Sequence, residues 1–207
     1  MRTLTFVVLL GLAGTLIPGP TATAGSWPSE YYSTIPKPVT ACPSGDMVYR
    51  IILYDFMNRP LRDNPISLEF CPAFRMSSVT NEGYEVGQYL DRSYIRDTTD
   101  AAARVDFPIR GGGTCPARAV RVHANGAIIT RALASPDQDG DLVVSAEDHA
   151  LADAKVGSTD PTADFDGDGT VTAADLDILS AHLGHHAPET STPVKPMSWG
   201  TIKLLYR

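Results

Sequence analysis

Two short segments near the C-terminal end carry carboxylates at alternate positions. Each segment holds three aspartates separated by single residues: Asp137, Asp139 and Asp141 in the first, and Asp164, Asp166 and Asp168 in the second. In a tightly wound loop, alternate positions turn toward one centre, so these carboxylates can converge on a cation. Calcium takes hard oxygen ligands in a flexible arrangement, whereas magnesium demands a tight octahedron and keeps its waters. We therefore expect each segment to bind one Ca²⁺ ion.

The two segments are copies of one unit that recurs at an offset of 27 residues. Counted from the first aspartate, each unit has oxygen side chains at slots one, three, five and twelve, which is the spacing of an EF-hand loop. Slot seven offers a backbone carbonyl, and slot twelve closes the coordination sphere from the following helix. The predicted ligands are Asp137, Asp139, Asp141, Val143 and Asp148 for one ion, and Asp164, Asp166, Asp168, Thr170 and Asp175 for the other. An exposed acidic turn without a metal is the alternative, which the duplication disfavours.

The copies differ at slot six, where the loop turns most sharply. Gly169 occupies this slot in the second copy, and glycine adopts a positive φ without strain. Leu142 occupies it in the first copy, which costs on the order of 1 kcal/mol or forces a different turn. We therefore expect the second loop to bind calcium more tightly. The β-branched residues at slot eight, Val144 and Val171, are expected to pair the two loops back to back.

The negative charge of the chain is concentrated around these loops. The 207 residues carry a net charge of −7, but residues 132–181 alone carry −11, with Lys155 as their single base. A nucleic-acid-binding protein needs a basic face, so this class is excluded. The hydrophobic fraction of 43% is that of a globular protein, which excludes global disorder. An acidic block with so few bases indicates a bound cation instead.

Residues 1–24 have the pattern of a secretory signal peptide. A basic start at Arg2 is followed by an apolar run over 4–17 and by an Ala-x-Ala site that ends at Ala24. The run is shorter than the ~20 residues needed to span a bilayer, so a membrane anchor is the weaker alternative. No other segment is long and apolar enough to cross a membrane. We expect cleavage near Ala24 and a secreted protein, either extracellular or held at the cell surface.

The three cysteines allow three pairings, each with one thiol left over. Cys71 and Cys115 each stand at the end of a strand-like run, which favours that pair and leaves Cys42 free or intermolecular. None of the three has the CxxC spacing of a zinc knuckle or redox motif.

Residues 47–134 have the sequence patterns of β-strands. A run rich in β-branched and aromatic residues over 47–56 predicts one strand, and alternating segments over 66–70 and 104–109 predict two more. The proline at position 108 places the last of these at a sheet edge. The dipeptide Asn125-Gly126, which lies between two further strand-like runs, predicts a two-residue hairpin.

The rest of this half is less regular. Residues 72–98 are expected to form loops plus one short strand, and the glycines at 111–113 a flexible break. Short strands with hairpin turns and no helical pattern predict a small β-sandwich. The Pro- and Ser-rich residues 25–46 are expected to be a linker-like segment in front of it.

Three segments of this half resemble bacterial Ig-like repeats of the invasin/intimin type. Residues 53–61 look like the D-x-x-x-x-P-L turn of those repeats, residues 99–107 look like their T-D-A-x-G-x-V-x-F strand, and residues 66–70 supply an alternating strand. The resemblance implies an Ig-like β-sandwich over 47–134 that serves as a spacer or adhesion module, without catalytic residues.

A helix is predicted after each aspartate-rich loop, over 147–156 and 173–183, and a glycine follows each one. No amphipathic helix precedes either loop, so each unit is a loop plus an exiting helix. This arrangement, duplicated over 135–186, resembles a dockerin domain. The resemblance implies calcium-dependent folding and docking onto a cohesin-like module of a partner protein, and it associates the chain with polysaccharide breakdown. Residues 187–207 are expected to be a Pro/Thr linker and a C-terminal tail.

The sequence thus predicts an all-β Ig-like sandwich followed by a small α dockerin/EF-hand-like calcium domain. The expected function is non-enzymatic: binding of two calcium ions and calcium-dependent protein–protein attachment in an extracellular or cell-surface assembly, with a link to polysaccharide breakdown. One alternative is a calcium-stabilised structural or adhesion spacer without a docking partner. The other is a carbohydrate-binding module or small polysaccharide hydrolase in the β half.

Other motifs add little to this prediction. The chain has no G-x-S-x-G, HExxH or phosphate-cradling glycine motif. Three histidines past the second predicted helix, His182, His185 and His186, are interpreted as a solvated helix end, with a transition-metal site as the alternative.

Overall fold

The computed structural model describes residues 27–77 and 85–188, apart from the side chain of Tyr89. In these ranges the chain forms ten strands followed by two short helices. The strands are β1 Val39–Thr40, β2 Val48–Ile52, β3 Pro65–Glu69, β4 Arg75–Met76, β5 Glu85–Tyr89, β6 Arg92–Thr98, β7 Arg104–Pro108, β8 Gly111–Gly112, β9 Cys115–Ala124 and β10 Ala127–Ala134. The helices are α1 Ala146–Asp153 and α2 Ala173–Ala181.

The described strands form one large sheet and two small ones. The large sheet has six strands in the order β1-β10-β9-β3-β6-β5, while β2 pairs with β7 and β4 with β8. Tyr49 of β2 and Phe107 of β7 lie in the same buried core as Ile66 and Leu68 of β3. One apolar core therefore joins the large sheet to the β2–β7 pair, as the facing sheets of a sandwich require.

The clearest strand patterns of the sequence correspond to strands in the structure. β3 and β7 both bury every second residue, and β7 pairs with β2 on one side. The hairpin between β9 and β10 turns at Asn125, with φ 44°, and Gly126, with φ 83°. A type I′ turn requires positive φ at both central residues, so the predicted hairpin is confirmed.

The segment 72–98 contains more strand than the sequence predicts. β5 and β6 pair as a hairpin at the end of the large sheet, and β4 pairs with β8. Charged residues are frequent in the hairpin, and Arg96 forms an ion pair with Glu85 across it. Because polar residues occupy both faces of these strands, the alternation that reveals a half-buried strand is weak there.

Residues 27–46 belong to the body of the fold and do not form a linker. β1 pairs with β10, and Ile35, Val39 and Ala41 are buried in the β core. These few apolar residues stand among prolines and serines without a regular period, so the composition of the segment conceals them.

The cysteines pair as the sequence favours. Cys71, which follows β3, forms a disulfide with Cys115 at the start of β9, and the two are 44 residues apart. Cys42 is free and buried. The disulfide joins two neighbouring strands of the large sheet, and both cysteines are part of the buried apolar core.

The predicted fold class is wrong in its second half, because the described residues contain no distinct α domain. α1 and α2 are only 8 and 9 residues long, in a chain that is mostly β. The core beneath the helices contains Val144, Phe165 and Leu179, but also Cys42 and Ala134 from the β half. Helices this short depend on tertiary packing for their stability. They share a core with the β body because they cannot enclose one of their own.

The two helices begin near the predicted residues and end earlier. Ser145 and Thr172 cap their N-termini, and each cap hydroxyl accepts a hydrogen bond from a backbone N–H of the first turn. Gly157 and Gly184, both with φ 82°, follow the last turns. As predicted, no helix of the described chain leads into either loop.

Several predictions for the termini fall outside the described residues. These are the signal peptide over 1–24 and all but the first two residues of the tail over 187–207. Within the part of the chain that the structure describes, no helix has both the length and the apolarity that crossing a bilayer requires.

The glycines at 111–113 form a packing surface and not a flexible break. Gly111 and Gly112 are the buried strand β8, and the N–H of Gly113 donates to the carbonyl of Asp137 at 2.8 Å. A Cβ built on Gly112 would overlap the carboxylate of Asp137. The first aspartate-rich loop therefore packs directly on the β body at a place where a side chain is not tolerated.

We expect Gly112→Ala to lower the free energy of unfolding by ~1–3 kcal/mol, because the added methyl group must displace the buried Asp137 carboxylate. Chemical denaturation of the calcium-free protein measures this change. The matched control is Gly112→Ala in an Asp137→Ala background, where the overlap is relieved and the cost should shrink. Equal costs in the two backgrounds would show that the packing of Asp137 on Gly112 is not the cause.

Candidate metal centre

The first aspartate-rich loop is wound around the buried carboxylate of Asp137. Its two oxygens accept hydrogen bonds from the backbone N–H of Gly140 at 2.7 Å and of Leu142 at 2.8 Å. Asp139 and Asp141 each accept a bond from the N–H two residues further on, at 3.0 and 2.7 Å. Such local side-chain-to-backbone bonds compete with helix and strand, so this sequence folds as a loop.

The second loop repeats this pattern at the equivalent positions. Asp164 accepts bonds from the N–H of Gly167 at 2.8 Å and of Gly169 at 3.0 Å. Asp166 and Asp168 again each accept from the N–H two residues further on, at 3.0 and 2.8 Å. The two copies of the repeat therefore adopt the same local structure, bond for bond.

The six aspartates converge in two groups, and each group could hold a metal ion. In either loop, one carboxylate oxygen from each of the three alternate aspartates lies within 4.8 Å of the other two. The first aspartate of each group is buried, and the other two are exposed. These are hard, anionic oxygen donors, the type that calcium and magnesium take as ligands.

The charge in each group is unfavourable without a cation. The pKa of Asp137 is raised to about 6. Burial is the largest cause and the charges of Asp148 and Asp141 add to it, while the two backbone hydrogen bonds act in the opposite direction. Burial also raises the pKa of Asp164, with contributions from Asp175 and Asp166. A divalent cation at the centre of each group would offset this repulsion.

The slot-twelve aspartates, Asp148 and Asp175, lie outside the two groups. Each is fully buried at the start of a helix. One oxygen of Asp148 accepts from the N–H of Gln138 at 2.6 Å, and the other accepts from the N–H of Ser145 at 2.8 Å. Asp175 bonds in the same way to Phe165 and Thr172. In this structure these carboxylates join the beginning of each loop to its helix, and their role as calcium ligands stays a prediction.

The slot-seven carbonyls are also compatible with the predicted role. Val143 lies opposite His186 in an isolated antiparallel β-bridge. The two hydrogen bonds of this bridge are made by the residues on either side of this pair, so the Val143 carbonyl takes part in neither. Thr170 is exposed at the equivalent place in the second loop. Their coordination of an ion stays a prediction.

The slot-eight valines do not pair with each other through their backbones, contrary to expectation. Val144 exchanges two hydrogen bonds of 2.8 Å with the turn after α2, at Gly184 and His185. Val171 exchanges equivalent bonds of 2.8 and 2.9 Å with the turn after α1, at 157–158. Both side chains are buried in the core beneath the helices. Each loop is thus fastened to the end of the other copy's helix.

Lys155, the single base among the acids, holds a partly buried polar network that the sequence did not reveal. Its ammonium group donates to the side-chain carbonyl of Gln138 at 2.7 Å and to the hydroxyl of Thr162 at 2.8 Å, and it lies 3.6 Å from Asp160. Gln138 in turn donates to the carbonyl of Ser135 at 2.6 Å. The network ties the first loop to the segment between the two copies. The feature of the sequence that comes nearest to indicating this network is the single lysine in an acidic block.

Leu142 adopts the turn that slot six requires. Its φ is 77°, in the same region as the 98° of Gly169, so the first loop accepts the strained conformation and does not form a different turn. A non-glycine residue at positive φ costs ~1–2 kcal/mol.

No protein-family model, no curated protein and no solved structure matches the chain significantly. The comparisons thus leave both resemblances, to Ig-like repeats and to dockerins, as they stood from the sequence. The assignment of a metal centre rests on the geometry of the two carboxylate groups.

We expect Leu142→Gly to be more stable than Leu142→Ala by ~1 kcal/mol, because both variants lose the side chain but only glycine relieves the strain at positive φ. Gly169→Ala, where a Cβ would meet no atom within 4 Å, should lose a similar amount in the second loop. Chemical denaturation of the three variants and the unmodified chain measures these differences. Equal stability of the glycine and alanine variants at position 142 would contradict the assignment of backbone strain.

Proposed function

We propose that the chain binds two calcium ions, one in each aspartate-rich loop, and that the loops with their helices attach the protein to a partner in a calcium-dependent manner. The observation that carries the first part is the bond-for-bond repetition of two loops, each with three converging carboxylates. A chance acidic turn has no reason to recur with the same hydrogen bonds.

Calcium is the cation we propose because of the donors and the loop spacing. All three converging side chains in each loop are carboxylates, and the predicted ligand sets add a backbone carbonyl and a further carboxylate. Such oxygen-rich sets in flexible geometry suit calcium, while soft thiolate and imidazole donors are absent from the two groups. Extracellular calcium modules bind with dissociation constants of roughly 10⁻⁴–10⁻³ M, and we expect the same range here.

The proposed attachment uses the exposed side of the two helices and their turns. Leu151 of α1 is 45% exposed, and Val156 and Leu183, which occupy equivalent positions of the two copies, are 46% and 45% exposed. These side chains lie on a helix and on turns that are packed against the aspartate-rich loops. In the calcium-bound protein they would form an apolar surface that a partner can contact. The resemblance to dockerins supports a cohesin-like module as that partner, and the signal-peptide pattern supports an extracellular or cell-surface location.

We propose no catalytic role and no reaction for this chain. A link to polysaccharide breakdown would come through the assembly that the partner belongs to. The calcium-stabilised spacer and the carbohydrate-binding or hydrolytic β half are the alternatives that the experiment distinguishes.

The test is capture by the immobilised full chain. We expect a secreted protein of the organism that encodes the chain to bind in millimolar calcium and to elute with chelator. The captured protein, once purified, should bind saturably. Leu151→Asp with Leu183→Asp should weaken its binding at least ~10-fold, because charged side chains would replace exposed aliphatic ones at the proposed contact. Ile128→Asp is the control, since Ile128 is an exposed aliphatic residue on β10, away from the two helices.

Three outcomes would contradict attachment through the helices. A chain that calcium stabilises against heat but that captures no protein would be a spacer. Retention on insoluble polysaccharide, independent of calcium and of the helix variants, would indicate a carbohydrate-binding β half. Equal binding by the helix variants and the Ile128→Asp control would place the contact elsewhere on the molecule.

A further inference from the structure

Four side chains of a different chemical kind meet where the second helix ends. Cys42 and Asp46 come from the turn after β1, while His182 and His185 follow the last residue of α2. Each offers one ligand atom, and these four atoms all lie within 4.8 Å of one another. The two pairs are about 140 residues apart in the chain, as the 141-residue separation of Ser44 and His185 shows.

We propose that Cys42, Asp46, His182 and His185 form a four-ligand site for zinc, separate from the two calcium loops. One thiolate, one carboxylate and two imidazoles make a donor set typical of tetrahedral Zn²⁺, whereas calcium takes oxygen ligands. The proposal does not depend on the proposed attachment function, because it involves other residues and another metal.

The orientation of His182 supports a ligand role. Its Nδ1 lies 2.7 Å from the carbonyl oxygen of Ile178, and a carbonyl can only accept, so Nδ1 carries the proton. The neutral ring then has its lone pair on Nε2, which faces Asp46 Oδ2 at 3.6 Å. Metal-binding histidines commonly donate their other N–H to a backbone carbonyl in this way, which fixes both the tautomer and the ring orientation.

The distances require little rearrangement for zinc. With Zn–N and Zn–O bonds of about 2.0–2.2 Å and a Zn–S bond of about 2.3 Å, the ligand atoms of a tetrahedron stand roughly 3.3–3.8 Å apart. The separation of His182 Nε2 from Asp46 Oδ2 is 3.6 Å, and that of His185 Nδ1 from the same oxygen is 2.9 Å. All remaining ligand pairs lie within the 4.8 Å limit, so shifts of about 1 Å would complete the geometry.

The cysteine is held on a rigid part of the fold. Its N–H donates to the carbonyl of Ile109 at 3.2 Å, its carbonyl accepts from Gly45 at 2.9 Å, and its side chain is fully buried. The metal-free alternative is an ion pair between Asp46 and charged histidines, joined to Cys42 by the hydroxyl of Ser44, which lies 3.2 Å from the thiol and donates to Asp46. A zinc ion bound by all four residues would link the end of α2 to the β body and so cross-link two parts of the chain that are about 140 residues apart.

The test is cobalt and zinc titration of the full chain in saturating calcium with a non-thiol reductant. The excess calcium is added to keep cobalt out of the aspartate loops. The four-ligand site should then bind Co²⁺ at one equivalent per chain and give the d–d absorption of a tetrahedral ion together with a thiolate-to-cobalt charge-transfer band. Zinc should displace cobalt and remove both signals. Cys42→Ala should lose the charge-transfer band, and His182→Ala and His185→Ala should raise the dissociation constant at least ~10-fold.

His186→Ala is the matched control, because His186 lies next to the cluster but bonds to the Gly184 carbonyl and is not one of the four. It should keep the full spectrum. Circular dichroism and thermal unfolding verify that each variant is folded, and His185 is accessible enough to be replaced without disturbing the core. Cobalt binding without a charge-transfer band, or binding that survives all three ligand variants, would overturn the proposal in favour of an ion pair at the helix end.

Discussion

Repulsion among neighbouring carboxylates is the main electrostatic problem that the two loops have to solve. Each loop gathers three aspartates around one point, and backbone N–H groups of the loop itself hold them there. The surroundings contribute as well. Gly112 of the β body leaves room for the buried Asp137, and Lys155 donates a hydrogen bond to Gln138, the next residue in the chain. The loops are thereby preorganised, and preorganisation lowers the cost of binding a cation.

The exchange of backbone bonds between the two copies makes the loops one unit. Val144 is fastened to the turn after α2 and Val171 to the turn after α1, and both valines lie in one core with residues of the β half. An ion bound in one loop would therefore also stabilise the end of the other copy's helix, where the exposed aliphatic residues Val156 and Leu183 lie. This connection links cation binding to the surface that we propose for attachment.

The repeat, the loop conformation and the Asn125-Gly126 hairpin could be predicted from sequence because each depends on local chemistry: aspartates that bond to nearby N–H groups, and residues that tolerate positive φ. The prediction of a separate helical domain could not be rejected from the sequence. What contradicts it is that Cys42 and Ala134 of the β half enter the core beneath the helices. The bonding of Val144 and the meeting of Cys42 with His182 also depend on contacts distant in sequence, which periodicity does not encode.

Calorimetric titration of calcium into the calcium-free full chain counts the ions that the two loops bind. We expect two ions per chain. We expect one ion when either Asp139 and Asp141 or Asp166 and Asp168 are replaced together by asparagine, which keeps the size of the side chains but removes their charge. No saturable binding at millimolar calcium, or a stoichiometry that is the same in all three proteins, would contradict this expectation.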